Sequence, residues 1–164
     1  EAVRLRPKDI DSKRGMLRVI DGKGGRNREV PVAPQMIERL RGYWCFHRNA
    51  HWLFPGVGRG WKERSRTLQA AMAAATEPMS VSSVQAALRV VVPAARIKKN
   101  ATCHTLRHSF ATHLLEDGVS IRQVSTYLGH SNLASTLIYL HVTEISESRG
   151  REVQQRLLHS ALRS

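Results

Sequence analysis

The side chains best suited to chemistry lie in the C-terminal part of the chain. His104, Arg107 and His108 are spaced three and four residues apart, which would place them on one face of a helix. His130 follows a glycine at a predicted helix end, and Tyr139 comes nine residues later. The start of a helix also attracts phosphate through its free amide groups and its dipole. The arginine, the histidines and the tyrosine are therefore candidates for one site.

A lysine in a glycine-rich turn is the other candidate. The run Gly22-Lys23-Gly24-Gly25 separates two segments of strand-like composition, 15–20 and 29–32. Glycine adopts the backbone conformations that tight turns need and lets the chain approach a ligand closely. We therefore predict a β-hairpin with Lys23 at its basic tip.

Each candidate also has a purely structural interpretation. A histidine on a helix is more often a packed or surface residue than a catalyst, and Tyr139, flanked by aliphatic residues, has the surroundings of a core residue. His104 and His108 have the i, i+4 spacing of zinc ligands. However, the zinc-protease pattern needs a glutamate directly after the first histidine, where this chain has Thr105. We therefore expect no metal site.

Composition narrows the class of protein. The 164 residues carry 26 Lys and Arg against 13 Asp and Glu, a net charge of +13 that is spread along the chain. This charge favours a folded surface that binds a polyanion, most simply nucleic acid. Two cysteines cannot support a secreted disulfide scaffold. No apolar run approaches the roughly 18 residues of a membrane span. We expect one basic, cytoplasmic globular domain with no membrane association.

Hydrophobic spacing and capping residues predict a mostly helical α+β domain with a small antiparallel sheet near its N-terminus. Pro34 begins a helix that runs to about residue 48, and residues 66–75 have helical composition. Ser82 or Ser83 would cap a further helix that Pro93 ends.

Four more helices are predicted in the C-terminal half. The first is expected to run from Thr102 to Asp117, and the second from its cap at Ser120 to Gly129. The third would begin after a cap at Ser131 or Asn132, and the last would run from Glu144 to Leu162. Apolar spacing places nine side chains on the inward faces of these helices, namely Leu106, Phe110, Leu114, Ile121, Val124, Leu128, Leu133, Leu137 and Leu140.

Three motifs give the chain a specific resemblance. The residues from 104 to 115 read HTLRHSFATHLL, and LGHS at 128–131 and IYLHV at 138–142 follow. With RPKDID at 6–11 and the predicted hairpin, these motifs closely resemble the tyrosine recombinase (phage-integrase-like) family, in particular its Xer and integron or transposon integrase branch. The resemblance covers essentially the whole chain and is weakest from Ala50 to Met79.

The resemblance implies DNA cleavage without a metal or other cofactor. Tyr139 would attack the scissile phosphate and form a 3′-phosphotyrosyl link that conserves the energy of the broken bond. Arg107 would hold the non-bridging oxygens, and Lys23 would protonate the leaving 5′ oxygen. His104 and His130 would hydrogen-bond the phosphate, with His104 also accepting a proton. The second histidine of the HTLRH motif is expected to be structural.

Double-stranded DNA is the implied partner, and the chain would act as a homotetramer on it. We expect phosphate contacts from five further basic residues, namely Arg26, Arg28, Lys98, Lys99 and Arg122. Members of the family exchange a C-terminal helix between protomers, for which Leu157, Leu158 and Leu162 offer an apolar stripe. A bacterial, nucleoid-associated location follows from the same resemblance.

The resemblance assigns residues 1–164 to the C-terminal catalytic domain of such a protein. Glu1 matches the last position of the family's Gly-Leu-Arg-x-Ser-Glu box, so the arginine of that box would precede residue 1. The N-terminal core-binding domain of the family would precede it too. We therefore expect a fragment that lacks one of two phosphate-binding arginines.

Three other functions stay open from the residues alone. Residues 110–131 can form a helix-turn-helix that binds DNA without catalysis. A type IB topoisomerase has a similar active site and would relax supercoiled plasmids. RNA binding is disfavoured, because aromatic residues make up only 5% of the chain and no stacking surface is evident.

Overall fold

A computed structural model describes residues 1–22 and 25–139. The chain divides into two compact units, Glu1–Thr102 and Cys103–Ser164. The described part contains seven α-helices and one three-stranded sheet, which confirms the predicted α+β class. No described helix has the length and apolar character needed to cross a membrane.

The sheet lies in the first unit and contains the predicted hairpin. Its strands are β1 (Ile10–Asp11), β2 (Met16–Val19) and β3 (Arg28–Pro31), in the antiparallel order β1-β2-β3. The hairpin joins β2 to β3, as the glycine-rich turn predicted, whereas the two-residue β1 is too short to leave a sequence pattern. Short 3₁₀ turns, Ala2–Arg4 and Pro7–Asp9, precede the sheet.

Four helices complete the first unit. They are α1 (Pro34–His47), α2 (Trp61–Arg64), α3 (Leu68–Ala73) and α4 (Val81–Ala94). The cap of α4 was predicted wrongly, since Ser80 rather than Ser82 or Ser83 accepts a hydrogen bond from the helix, from Ser83 N. Pro93 lies inside the last turn of α4 instead of ending it. The turn closes through Ala95 N and Arg96 N, which bond to the carbonyls of Val91 and Pro93.

Asn49 ties together three segments of the first unit. Its side chain is buried directly after α1, and its Oδ1 accepts the backbone N–H groups of His51 and Trp52 at 2.9 and 2.8 Å. Its amide nitrogen donates to carbonyl oxygens at the end of α3, those of Met72, Ala73 and Ala75, at 2.8, 3.1 and 2.8 Å. The Asn49 side chain therefore satisfies backbone groups that two irregular segments would otherwise leave unbonded.

His47 packs beside this network. Its Nδ1 accepts the Asn49 N–H at 3.0 Å, and its ring makes an edge contact with Tyr43 at 5.0 Å between centroids. Burial lowers the pKa of His47, and the backbone of Leu53 opposes that effect more weakly. The folded interior therefore favours the neutral form of His47.

The second unit contains α5 (Cys103–Glu116), α6 (Ile121–Leu128) and α7 (Ala134–Leu137). The predicted limits of α5 and α6 are correct to about one residue. Gly118 has a φ of 86°, and Val119 N bonds to Leu114 O behind it, which ends α5 in the way that the glycine predicted. The Ser120 hydroxyl accepts from Gln123 N at the start of α6, and Gly129 ends that helix with a φ of 70°.

The core of the second unit matches the predicted one only in part, since Val124 and Leu128 are buried as expected. It consists of Ala111, Val124, Leu128 and Tyr139, with Leu114 partly buried against it. Four other predicted core residues are exposed, namely Leu106 (54%), Phe110 (45%), Leu133 (42%) and Leu137 (44%). The buried face of α5 is centred on the small side chain of Ala111, and α6 packs against this face. Leu106 and Phe110 therefore lie on a neighbouring, exposed face of α5. Leu140 and the predicted helix 144–162 lie outside the described residues.

Candidate active site

Tyr139 directly follows α7 and packs into the core of the second unit. Its side chain is 3% exposed, and its backbone N–H donates to the carbonyl of Thr136 at 3.1 Å. Two histidine rings contact it. The ring centroid of His108 lies 4.8 Å from that of Tyr139, and the ring of His130 stacks nearly parallel to it at 6.3 Å with an interplanar angle of 10°. The structure thus brings the predicted nucleophile together with two histidines.

Arg107 is anchored to the end of α6. Its Nη2 donates to the carbonyl oxygen of Leu128 at 2.6 Å. The last carbonyls of a helix carry partial negative charge, so they are good partners for a guanidinium. This single bond uses one of five N–H donors, and it holds the side chain, which is half-buried, on the same small unit as the two histidines.

His130 is held by a residue that the sequence analysis missed. Its Nδ1 lies 2.8 Å from Oγ1 of Thr136, and its backbone N–H donates to Ser125 O at 3.0 Å. Thr136 is fully buried in α7. The threonine three residues before Tyr139 carries no sequence signal of its own, although a buried hydroxyl usually has a hydrogen-bond partner.

His104 lies apart from the ring cluster. It is exposed at the second position of α5, one turn before His108. The two histidines therefore differ in surroundings. His108 packs against Tyr139, in keeping with a structural role, while His104 is accessible from solvent.

The hairpin tip lies in the first unit, and Lys23 itself is outside the described residues. The flanking residues form a closed turn, because Gly25 N donates to Gly22 O at 2.8 Å and Gly22 N donates to Arg26 O at 3.2 Å. Below it, Asp21 N donates to Oδ1 of Asn27 at 3.1 Å.

An ion pair supports the base of this turn. Arg28 donates to both carboxylate oxygens of Glu1, at 3.1 and 2.8 Å, and its side chain is only 11% exposed. A Cβ atom built on Gly22 would lie 2.7 Å from Arg28 Nη1 and 2.9 Å from Glu1 Oε1, so the pair packs directly against the glycine. Arg28 thus braces the hairpin, and a phosphate would have to compete with Glu1 for it.

The other four predicted phosphate contacts are on the surface. Arg26, Lys98, Lys99 and Arg122 are all exposed. Arg26 lies at the hairpin turn, the two lysines follow α4, and Arg122 lies in the first turn of α6. Within the described residues, no three His, Cys, Asp or Glu side chains lie close enough to hold a metal ion together.

Known proteins are similar to this chain in sequence and in fold. A protein of Sinorhizobium fredii, y4qK, whose name puts it among integrases and recombinases, is 39% identical over 142 residues, which are 87% of this chain and 41% of that protein. The tyrosine recombinase XerD of Corynebacterium glutamicum is 37% identical over 143 residues, 87% of this chain and 43% of XerD. The chain therefore spans less than half the length of these two relatives.

The fold comparison agrees with the sequence comparison. The crystal structure of XerA recombinase aligns with 95% of this chain and 52% of that one, at a TM-score of 0.69 and 28% identity. The catalytic domain of the bacteriophage HP1 integrase has the same fold, with a TM-score of 0.58 over 92% of this chain and 71% of that one. The phage integrase family model matches residues 1–145. The chain with these anchored arginine, histidine and tyrosine side chains belongs to the phage integrase family.

Proposed function

We propose that the chain is the catalytic part of a tyrosine recombinase that cuts and rejoins duplex DNA at specific sites. The observation that carries the proposal is the contact of Tyr139 with His108 and His130 on the unit that also anchors Arg107. These are the residue types that phosphoryl transfer without a metal requires: a nucleophile, proton carriers and a fixed positive charge. Membership of the phage integrase family supports the same reaction.

The proposed reaction exchanges one phosphoester for another. The Tyr139 hydroxyl oxygen bonds to phosphorus as the bond from phosphorus to the 5′ oxygen breaks. His104 accepts the phenolic proton, and Lys23 gives a proton to the leaving 5′ oxygen. Arg107 and His130 bind the non-bridging oxygens, whose charge increases in the transition state. The reverse attack by a 5′ hydroxyl rejoins DNA with no added energy source.

The proposed partner is duplex DNA bound through its phosphates. The net charge of +13 and the exposed Arg26, Lys98, Lys99 and Arg122 support it. We further propose assembly into a tetramer on DNA of the bacterial nucleoid, through a C-terminal segment that lies outside the described residues. Removing the residues after Arg151 should preserve binding to one duplex but prevent assembly of two duplexes, as measured by light scattering of the complexes. Unchanged assembly would contradict this part of the proposal.

Burial of Tyr139 favours a second candidate, a DNA-binding module that does not cut. Tyr139 is only 3% exposed, so a phosphate has little access to it in this conformation. In addition, α5, the turn at Gly118 and α6 follow one another as in a helix-turn-helix. Under this alternative the histidines around Tyr139 only pack the core.

Covalent capture separates the two candidates without knowledge of the target site. A library of nicked duplexes with randomised centres, labelled on the strand upstream of the cut, is incubated with the protein. Label that stays on the protein after denaturation marks a 3′-phosphotyrosyl link, because the short downstream strand diffuses away. We expect adducts with the wild type and none with Tyr139→Phe, although both bind DNA. Equal label with both proteins, or none with either, would refute the proposed cleavage.

A further inference from the structure

Thr136 lies between two of the proposed catalytic side chains. Its Oγ1 is 2.8 Å from Nδ1 of His130, and its carbonyl oxygen accepts the Tyr139 N–H at 3.1 Å. One buried residue therefore fixes both the orientation of the His130 ring and the backbone that carries Tyr139. We propose that Thr136 is a positioning residue of the cleavage site, whose hydroxyl donates to Nδ1 of His130 and so keeps the proton of the neutral ring on Nε2.

The direction of this hydrogen bond follows from the ligand, and here the inference rests on the proposed function. Phosphate oxygens accept hydrogen bonds, so the ring nitrogen that meets them must carry a proton. Nδ1 of His130 faces the Thr136 hydroxyl, and a phosphate must therefore meet Nε2. In a neutral imidazole the other nitrogen then lacks a proton and accepts. A hydroxyl that donates to Nδ1 selects the form of the ring that can bind a phosphate.

Because Thr136 is buried, its hydroxyl and not a water molecule is the partner of His130 Nδ1. The residue has 0% exposure, so solvent cannot replace its hydroxyl beside His130. The same turn sets the tyrosine, because Thr136 O holds Tyr139 N and the two aromatic rings then stack at 10°. Replacing Thr136 with valine preserves the shape of the side chain and removes only the bond to Nδ1.

Thr112 provides a matched control in the same unit. It is also a buried threonine, on α5, and its Oγ1 has no hydrogen-bond partner among the described residues. Thr112→Val makes the same change of hydroxyl to methyl without breaking a hydrogen bond. A general sensitivity of the unit to threonine replacement would thus affect both variants.

The first test measures the His130 tautomer in the DNA-free protein. Nitrogen NMR of histidine-labelled protein distinguishes Nδ1–H from Nε2–H rings, and the signals of His130 are those lost in His130→Gln. At a pH where the ring is neutral, we expect Nε2–H in the wild type, Thr136→Ser and Thr112→Val, and a mixture of both forms in Thr136→Val. A wild-type ring protonated on Nδ1, or the same tautomer in Thr136→Val, would overturn the proposal.

The second test measures the rate of adduct formation on a captured duplex. Thr136→Val should form the adduct about tenfold more slowly at unchanged DNA affinity, the effect of one lost orienting hydrogen bond. Thr136→Ser and Thr112→Val should stay within about twofold of the wild type. An undiminished rate in Thr136→Val, an equal loss in Thr112→Val, or no rescue by serine would contradict the assigned role.

Two controls keep the outcome decisive. Thermal melts show whether each variant folds, and Thr136→Ala replaces the valine variant if that one does not. If no protein forms an adduct, including the wild type, the proposed function fails. The tautomer comparison still decides whether Thr136 orients His130, because it needs no DNA.

Discussion

Replacing Asn49 with alanine is the sharpest test of how the first unit is held together. The side chain makes five hydrogen bonds, three donated by its amide nitrogen and two accepted by its oxygen. The amide has two protons, so about four of the five bonds act at full strength at one time. Alanine removes all of them and leaves buried backbone groups unbonded.

The expected loss is large for a single substitution. At about 1 kcal/mol for each net hydrogen bond, four bonds are worth about 4 kcal/mol of the free energy of unfolding. Asn49→Asp should cost at least as much, because a buried carboxylate would face the carbonyl oxygens of Met72 and Ala75. With an m-value of about 2 kcal/mol/M, the urea midpoint falls by about 2 M.

Tryptophan fluorescence gives an assay restricted to the first unit. All three tryptophans of the chain, Trp44, Trp52 and Trp61, lie before residue 103, and two of them donate hydrogen bonds to the backbone near the Asn49 network. Urea unfolding followed by fluorescence therefore reports on this unit. Asn100→Ala, at an exposed asparagine of the same unit, is the control and should shift stability by no more than about 0.5 kcal/mol. A loss below about 1 kcal/mol in Asn49→Ala would refute the reasoning.

Three more predictions concern Tyr139, Lys23 and His47. Tyr139→Phe should unfold as the wild type does, whereas Tyr139→Ala should cost about 3 kcal/mol of unfolding free energy, because it leaves a cavity beside Val124. Lys23→Ala should lose cleavage of ordinary duplexes and recover it on duplexes with sulfur in place of the leaving 5′ oxygen, because a sulfur leaving group needs no proton donor. Burial holds the pKa of His47 below its ordinary 6.5, so acid should destabilise the first unit as the unfolded chain takes up a proton. In His47→Gln, the slope of the unfolding free energy against pH should fall by the equivalent of up to one bound proton. His51→Gln, the control, should keep the slope of the wild type.

Local signals in the sequence predicted the elements well. Pro34, Ser120, Gly118 and Gly129 each act on the backbone within a few residues, so the limits of α1, α5 and α6 could be predicted. The glycine-rich run at residues 22–25 likewise predicted the hairpin between β2 and β3. These features depend on neighbours along the chain, which a sequence displays directly.

Packing partners distant in sequence were not predictable in the same way. The apolar row through Leu106 and Phe110 indicated a buried face, but the fold buries the row through Ala111 because a small side chain lets α6 approach. The bonds of Asn49 and Thr136 reach residues that no local pattern connects to them. Both are polar residues whose roles depend on burial.

Under the proposed function, the burial of Tyr139 would set a condition on which DNA is cut. If the phenol must leave its packing before it reacts, only a fraction of the molecules are competent at any moment. A duplex that binds the closed and open forms equally well does not change that fraction, however tightly it binds. Raising the competent population from about 1% to about 99% requires a duplex to favour the open form by about 5.5 kcal/mol. The choice of the DNA that is cut would then depend on how much more tightly a duplex binds the open form than the closed form, and not on its overall affinity. Most of the DNA that a basic protein binds would therefore remain uncut.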